Sequence, residues 1–323
     1  MQAIVVREAG APEVMELREL ADPVAGPGQI VVETAAIGVN YIDIYRREGR
    51  YPQPAPGIPG EEGAGTVRAV GPDVTAFKPG DRVAWTTVLG SYATQVLVPV
   101  ERAIAIPDGM DFQTAAAALV HGMTCHYLVH DSYQAKAGDT LLVHAAAGGV
   151  GLLLVQALKA RGCRVIGTVS SEAKAQAARA FGADEVLLYD QVEDLAAEVR
   201  RLTDGVGVDA VYDGVGAATF DASLASLRLR GTLVLFGGAS GPVPPFDPMR
   251  LAWGGSLTLT RPYMEHFRAT REEFEWRANE VFAGVQAGTL TLTIDSTYAL
   301  ADAPAAHHAL ASRRTMGKLL LLP

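Results

Sequence analysis

From the N-terminus to about residue 120, apolar positions fall in short runs rich in β-branched residues, QIVVETAAIGV, GAGTVRAV, DRVAW and ATQVLVPV. Apolar and polar positions alternating over such lengths predict half-buried strands, and the intervening PVAGPGQ, PQPAPGIPG and GPDVTAFKPGD predict turns. A barrel-like, all-β module follows, with no long helix needed before Asp111.

At Asp111 the pattern changes. DFQTAAAALVHGMTCHYLVHDS carries apolar residues at helical spacing, which predicts a helix pair or one interrupted helix. Strand and helix patterns then alternate: DTLLVHAA, a helix over Gly149 to Ala160, CRVIGTV, SEAKAQAARAFG, DEVLLY, VEDLAAEVRRL, VDAVYDGV, a helix over FDASLASLRL, GTLVLFG and SLTLTRP. This order predicts a doubly wound parallel sheet, and the unbroken apolar strands suit a sheet covered on both faces. From Tyr263 the chain is mixed again and ends in KLLLLP, a strand expected to return to the first module. The expected division is residues 1–120 and 263–323 in a β-rich domain, with residues 121–262 in the parallel-sheet domain.

Composition narrows the functional classes. At 323 residues and 49% apolar, the chain has enough core for two domains, and its 34 glycines and 18 prolines are dispersed as turn punctuation. A formal net charge of −9, with no run of Lys or Arg, opposes a nucleic-acid surface and favours small-molecule partners. No apolar run is long enough to span a bilayer and no leader-like segment opens the chain, so a cytoplasmic location is expected. With only Cys125 and Cys163, one disulfide is the maximum and a four-cysteine zinc site is ruled out.

The segment LLVHAAAGGVGLLLVQALKARG supplies the candidate chemistry. A strand running through a glycine turn directly into a helix is the setting of a dinucleotide fingerprint. Gly148 and Gly149 lie in the turn, where Gly148 lets a pyrophosphate approach the backbone at the positive end of the helix, and Gly151 permits close packing of helix on strand. Ala146 stands where the first glycine is usual, which a tight turn accommodates if its φ stays negative. After the next strand an acidic residue would mark NAD, but Val169 occupies that position. Ser170, Ser171 and Lys174 follow it, a donor set suited to a 2′-phosphate, and Tyr189 ends the next strand within reach of adenine or phosphate. NADPH is the expected cofactor.

The fingerprint AAAGGVG, together with GVNYIDIYRREGRYP, YDGVG and the closing SRRTMGKLLLLP, resembles zinc-independent NADPH:quinone oxidoreductases of the medium-chain dehydrogenase/reductase superfamily. The resemblance spans essentially the whole chain. It implies an α/β fold in which a GroES-like β-rich catalytic domain accompanies a Rossmann doubly wound parallel sheet. It also implies that no metal is bound. The Cys, His and Cys that hold catalytic zinc in related alcohol dehydrogenases correspond to Asn40, to Glu61 and to a position near Val120, and residues 97–111 lack the cysteines of a structural zinc lobe. By the same resemblance Asn40, Asp43 and Tyr45 lie near the nicotinamide, and Gly149 and Val150 at the pyrophosphate. Ser170, Lys174 and Tyr189 are assigned to the 2′-phosphate. Gly214, Gly238 and Ser240 line the ends of the fourth and fifth strands, and Arg313 reaches a phosphate or Asp43.

The implied reaction is hydride transfer from NADPH, in a cleft between the domains, to a quinone or another conjugated carbonyl. Negative charge then builds on the acceptor oxygen, and Asn40, Tyr45 and Tyr51 are the available donors, the tyrosines chiefly orienting and stacking the substrate. Glu61 is expected to face Arg313 or a backbone amide, and His121, His126, His130 and His144 to serve packing. The alternatives are an enone or enal reductase and, from another class, a catalytically silent NADPH-binding protein. SLTLTRP is expected at a sheet edge, where pairing with its copy would produce a homodimer.

Overall fold

The computed structural model describes residues 1–323 as two compact units, one comprising Met1–Met123 and Thr270–Pro323, the other Thr124–Ala269. The first unit opens with β1 (Gln2–Val6), β2 (Met15–Glu19), β3 (Gln29–Val39) and α1 (Tyr41–Arg47). There follow β4 (Glu62–Val70), β5 (Arg82–Thr86), β6 (Gln95–Pro99), β7 (Ala103–Ala105) and α2 (Phe112–Tyr127), which runs past the end of the first unit at Met123. The second unit carries β8 (Thr140–Val143), α3 (Gly149–Ala160), β9 (Arg164–Val169), α4 (Glu172–Ala180), β10 (Glu185–Leu188) and α5 (Leu195–Leu202). It is completed by β11 (Val208–Asp213), α6 (Phe220–Ser226), β12 (Leu227–Leu235), α7 (Met249–Trp253) and β13 (Thr258–Thr260). The chain then returns to the first unit with α8 (Arg271–Gln286), β14 (Ile294–Ala299), α9 (Ala303–Ala311) and β15 (Lys318–Leu322).

In the first unit seven strands form one sheet in the order β14-β15-β3-β4-β5-β7, with β6 also paired to β3. β3 is the long central strand because its eleven residues are almost continuously apolar and both faces find cover. Toward its start, Ile30 and Val32 pack with Val67, Val83 and Trp85; toward its end, Ile37 and Val39 pack with Ile4, Leu319 and Leu321. The expected return of KLLLLP occurs, since β15 pairs antiparallel with β3, Leu319 opposite Val39. On the other side β4 runs antiparallel, with Gly63 opposite Ile37. These two registers carry Lys318, Gly38 with Asn40, and Glu62 into one row across three strands.

The second unit is a six-stranded sheet in the order β10-β9-β8-β11-β12-β13, parallel at every pairing. This is the doubly wound arrangement expected from the alternating pattern, with a core of Leu142, Ile166, Val211, Leu233 and neighbours. α3 has the expected bounds. Two expectations need correction. YIDIYRR is a helix, α1, and the helix expected over FDASLASLRL stops at Ser226, because Leu227 already pairs with Val208 as the first residue of β12. The interrupted helix at Asp111 proves to be α2 followed by a π-helical turn over Leu128–Ser132.

Candidate active site

In the parallel-sheet unit, the backbone after β8 turns sharply at Ala145, which has φ 51°. This left-handed residue, and not Ala146, absorbs the strain of the turn, so Ala146 is tolerated where a glycine is usual. Gly148 caps α3 in extended conformation with no side chain to block its end. The first intrahelical bond runs from Leu152 N–H to Gly148 O at 2.9 Å, which leaves the amides of Gly149, Val150 and Gly151 directed out of the helix start. Gly151 is compelled by space, because a Cβ there would overlap the Ala145 carbonyl oxygen and lie 2.9 Å from Ala146 backbone carbons. Such an open, uncapped amide cluster fits a pyrophosphate.

Beyond β9, Ser170 and Ser171 are exposed, and the Ser171 side chain caps α4 by accepting from Lys174 N. The Tyr189 hydroxyl is tied to the fingerprint turn, accepting from Thr168 Oγ1 at 2.7 Å and from Ala145 N at 3.2 Å. Its phenol therefore braces the turn in addition to its place at the end of β10. Behind it the His144 ring lies between Thr168 Oγ1 (2.9 Å) and Ser223 Oγ (3.0 Å), and burial lowers its pKa so that it stays neutral. Ser223 and Thr219 donate to the fully buried Asp213, which also accepts from Val215 N and Gly216 N. The sequence reading missed Asp213, Thr219 and Ser223 as supports; a carboxylate at the end of a buried strand was the available signal. Gly214 packs against Phe236, Gly238 lies near Gly241, and Ser240 Oγ donates to Val215 O at 2.7 Å and accepts from Ala218 N at 2.9 Å. Ser240 thus pins the loops that follow β11 and β12.

In the β-rich unit, α1 carries Tyr41 and Tyr45, and Tyr51 follows in the loop after it. Tyr45 and Tyr51 stack at 5.8 Å between centroids, Tyr41 tilts against Tyr45 at 6.1 Å, and the Arg50 guanidinium lies 5.3 Å from the Tyr45 ring. A pocket of about 220 Å³ opens beside Tyr51, lined also by Arg46, Gly49 and Gln53.

Asn40 and Asp43 are both held by interior partners. Asn40 is buried with its amide engaged: Nδ2 donates to Glu62 Oε2 at 3.0 Å, and Oδ1 accepts from Lys318 Nζ at 2.7 Å. Nδ2 also donates to Gly38 O at 3.4 Å, so both amide protons are already engaged within the protein. Asp43 is fully buried and accepts from Asn40 N at 2.8 Å and from Tyr92 OH at 3.0 Å through Oδ2, which sets the start of α1. Its Oδ1 has no hydrogen-bond partner, so the expected bond from Arg313 is not formed. Arg313 is exposed, with φ 58°, and its charge acts on Tyr41. Glu61, expected to face Arg313 or an amide, is paired with Arg46, whose Nε lies 2.6 Å from Oε1. Both cysteines are free and buried, and burial pushes the Cys125 thiol up to about 12, far from nucleophilic use at neutral pH.

The positions equivalent to zinc ligands do not fit a zinc ion. Asn40 already binds an ammonium, Glu61 is in an ion pair, and Val120 offers only its backbone N–H, which donates to Glu62 Oε1 at 2.6 Å.

Two family models match the chain, an alcohol dehydrogenase GroES-like domain over residues 26–108 and a zinc-binding dehydrogenase over residues 149–282. A quinone oxidoreductase of Pseudomonas aeruginosa is 46% identical over 318 residues, 97% of each chain. A 2-haloacrylate reductase of a Burkholderia species is 39% identical over 332 residues, covering 100% of this chain and 99% of its own. A mycobacterial protein solved in complex with NADPH is 50% identical and superposes with a TM-score of 0.97 over 100% of both chains. Identity at this level over the full length agrees with the motifs that pointed to the same family. The chain belongs to the zinc-independent quinone oxidoreductases of the medium-chain dehydrogenase/reductase superfamily.

Proposed function

We propose that the protein is an NADPH-dependent reductase that delivers hydride to quinones without a metal. The observation that carries this reading is the open amide cluster of α3 beside Ser170 and Lys174, with Val169 where an NAD-selective acid would stand. The mycobacterial relative solved with NADPH and the quinone oxidoreductase of Pseudomonas aeruginosa support it. Bound NADPH supplies the hydride. The chain's own residues then bind and orient: Gly148, Gly149, Val150 and Gly151 receive the pyrophosphate, and Ser170, Lys174 and Tyr189 the 2′-phosphate. Gly214, Gly238 and Ser240 shape the strand ends, and Arg313 meets a phosphate. Asn40 lies at the nicotinamide, with Asp43 holding its backbone. The stacked Tyr45 and Tyr51 orient a planar acceptor, donating hydrogen bonds as neutral phenols. We also assign the unit of Met1–Met123 and Thr270–Pro323 to catalysis and the unit of Thr124–Ala269 to the cofactor, boundaries a few residues beyond those expected at 120 and 263.

The 2-haloacrylate reductase relative favours a second reading, reduction of an activated carbon–carbon double bond. Steady-state NADPH consumption with 1,4-benzoquinone, an ortho-quinone and a simple enone separates them. Quinone turnover is expected to dominate, and enone rates a hundredfold above every quinone would reverse the assignment. Tight NADPH binding with no turnover on any acceptor would instead identify a catalytically silent binding protein.

Lys174→Ala is expected to weaken NADPH binding by about 1.5–3 kcal/mol, the worth of a charge-assisted hydrogen bond, while sparing NADH. Equal losses for both cofactors, measured by fluorescence titration, would remove Lys174 from the 2′-phosphate.

No helix is long and apolar enough to cross a membrane. A cytoplasmic homodimer fits the short edge strand β13, whose pairing with a second copy would extend the sheet. Sedimentation at micromolar concentration is expected to show twice the monomer mass.

A further inference from the structure

The row created by β15, β3 and β4 buries a lysine and a glutamate that no step above uses. Lys318 is 2% exposed, Glu62 0% and Asn40 4%. The Lys318 ammonium donates to Asn40 Oδ1 at 2.7 Å and to Glu62 Oε2, while Asn40 Nδ2 donates to that same carboxylate at 3.0 Å. The other Glu62 oxygen accepts from Val120 N at 2.6 Å. A carboxamide has one acceptor end and one donor end, and here a cation reads the first and an anion the second. A flipped amide would set N–H against ammonium and oxygen against carboxylate. Two further observations mark the arrangement as built. A Cβ on Gly38 would overlap Glu62 Oε2 and lie 2.8 Å from Lys318 Cε, so glycine at this position leaves room for the pair. The charge also reaches α2, where burial and then Lys318 hold His121 well below the usual histidine range.

We propose that Lys318, paired with Glu62, is a positioning residue: a fixed interior cation that locks the Asn40 carboxamide in one orientation. The effect on catalysis rests on the proposed place of Asn40 at the nicotinamide; the lock itself does not.

The sequence contains only two asparagines, Asn40 and the exposed Asn279, so [15N]asparagine labelling reports the lock directly. The carboxamide signal lost in Asn40→Ser is expected to exchange its protons at least about tenfold more slowly than that of Asn279. Because removing one charge leaves its partner buried and unpaired, the informative variant is Lys318→Met combined with Glu62→Gln. Its thermal melt and NADPH affinity serve as controls for folding. Asn40 exchange is expected to accelerate to near that of Asn279, and kcat to fall by about tenfold to a hundredfold, the cost of a misplaced group, with NADPH Kd within about twofold of wild type. Unchanged exchange in the double variant overturns the lock, whether or not kcat falls. Accelerated exchange with unchanged kcat overturns its role in positioning. If the wild type turns over no acceptor, the quinone reading fails, and the exchange data still decide whether the lock exists.

Discussion

Gly151→Ala is expected to weaken NADPH binding by more than about a hundredfold. The added methyl would overlap the Ala145 carbonyl oxygen and press on the Ala146 backbone at 2.9 Å, and neither is the movable end of a side chain. Relief requires α3 to lift from β8 or the turn at Ala145 to open. Either displaces the amides of Gly149 and Val150 that lead the helix. Losing two charge-assisted hydrogen bonds at about 1.5–3 kcal/mol each weakens binding by more than about a hundredfold. Overpacking itself costs about 1–3 kcal/mol of stability. Gly148→Ala is the informative contrast. Its φ of −76° suits alanine and its Cβ would meet only the Ala145 oxygen, at 3.2 Å. That variant is expected to melt near the wild-type temperature yet bind NADPH poorly, because its methyl stands where the pyrophosphate approaches the backbone. Fluorescence titration and thermal melts on both variants check the pair, and wild-type affinity in Gly151→Ala would show that the turn does not hold the cofactor.

The contrast also explains what could be read in advance. The fingerprint turn is local: strand, turn and helix lie within one segment, so glycine spacing and apolar runs define α3 to the residue. The parallel sheet was legible for the same reason, since each buried strand is an apolar run between helices. Elements governed by partners distant in sequence were not. α1 contains Tyr, Ile and Asp, none of them a strong helix former, and it starts where Asp43 accepts from the Asn40 backbone and Tyr92 anchors that carboxylate from 49 residues away. The helical spacing of FDASLASLRL runs on through Leu227, but pairing with Val208 converts the backbone to strand after Ser226. Lys318 read as the polar start of a C-terminal strand; its contact with Glu62 spans 256 residues and follows only from the registers on either side of β3. The motif assigned Asn40 to the site but could not show that its amide is already engaged.

The second large effect lies in stability against pH, and it is hidden in the wild type. Asp43, Tyr92 and His307 form a buried chain: Tyr92 OH lies 3.0 Å from Asp43 Oδ2 and 3.0 Å from His307 Nε2, and Arg47 Nη1 lies 3.4 Å from His307 Nδ1. Burial, with the Glu61 charge nearby, pushes Asp43 up to about 7, against the pull of the Asn40 amide, Tyr92 and Lys318. Burial, with Arg47 and His308, pulls His307 down to about 3. The two groups act on stability with opposite signs. Asp43 has a native pKa above its unfolded value of about 3.9, so its stabilising contribution is complete below that pH and is lost as pH rises toward 7. His307 has a native pKa below its unfolded value of about 6.5, so its contribution is complete above that pH and is lost as pH falls toward 3. Between about pH 4 and 6.5 each contributes a slope of about 1.4 kcal/mol per pH unit, and the two cancel. Asp43→Asn is expected to leave the histidine slope alone, so that this variant loses stability relative to wild type as the solution is acidified from pH 6.5 to 4. His307→Gln is expected to do the reverse, losing stability relative to wild type as pH rises over the same interval. The other titrating groups are common to all three proteins, so the differences between urea midpoints across this range report chiefly on the pair. Variants that track the wild type in parallel would show that neither group changes its proton affinity on folding.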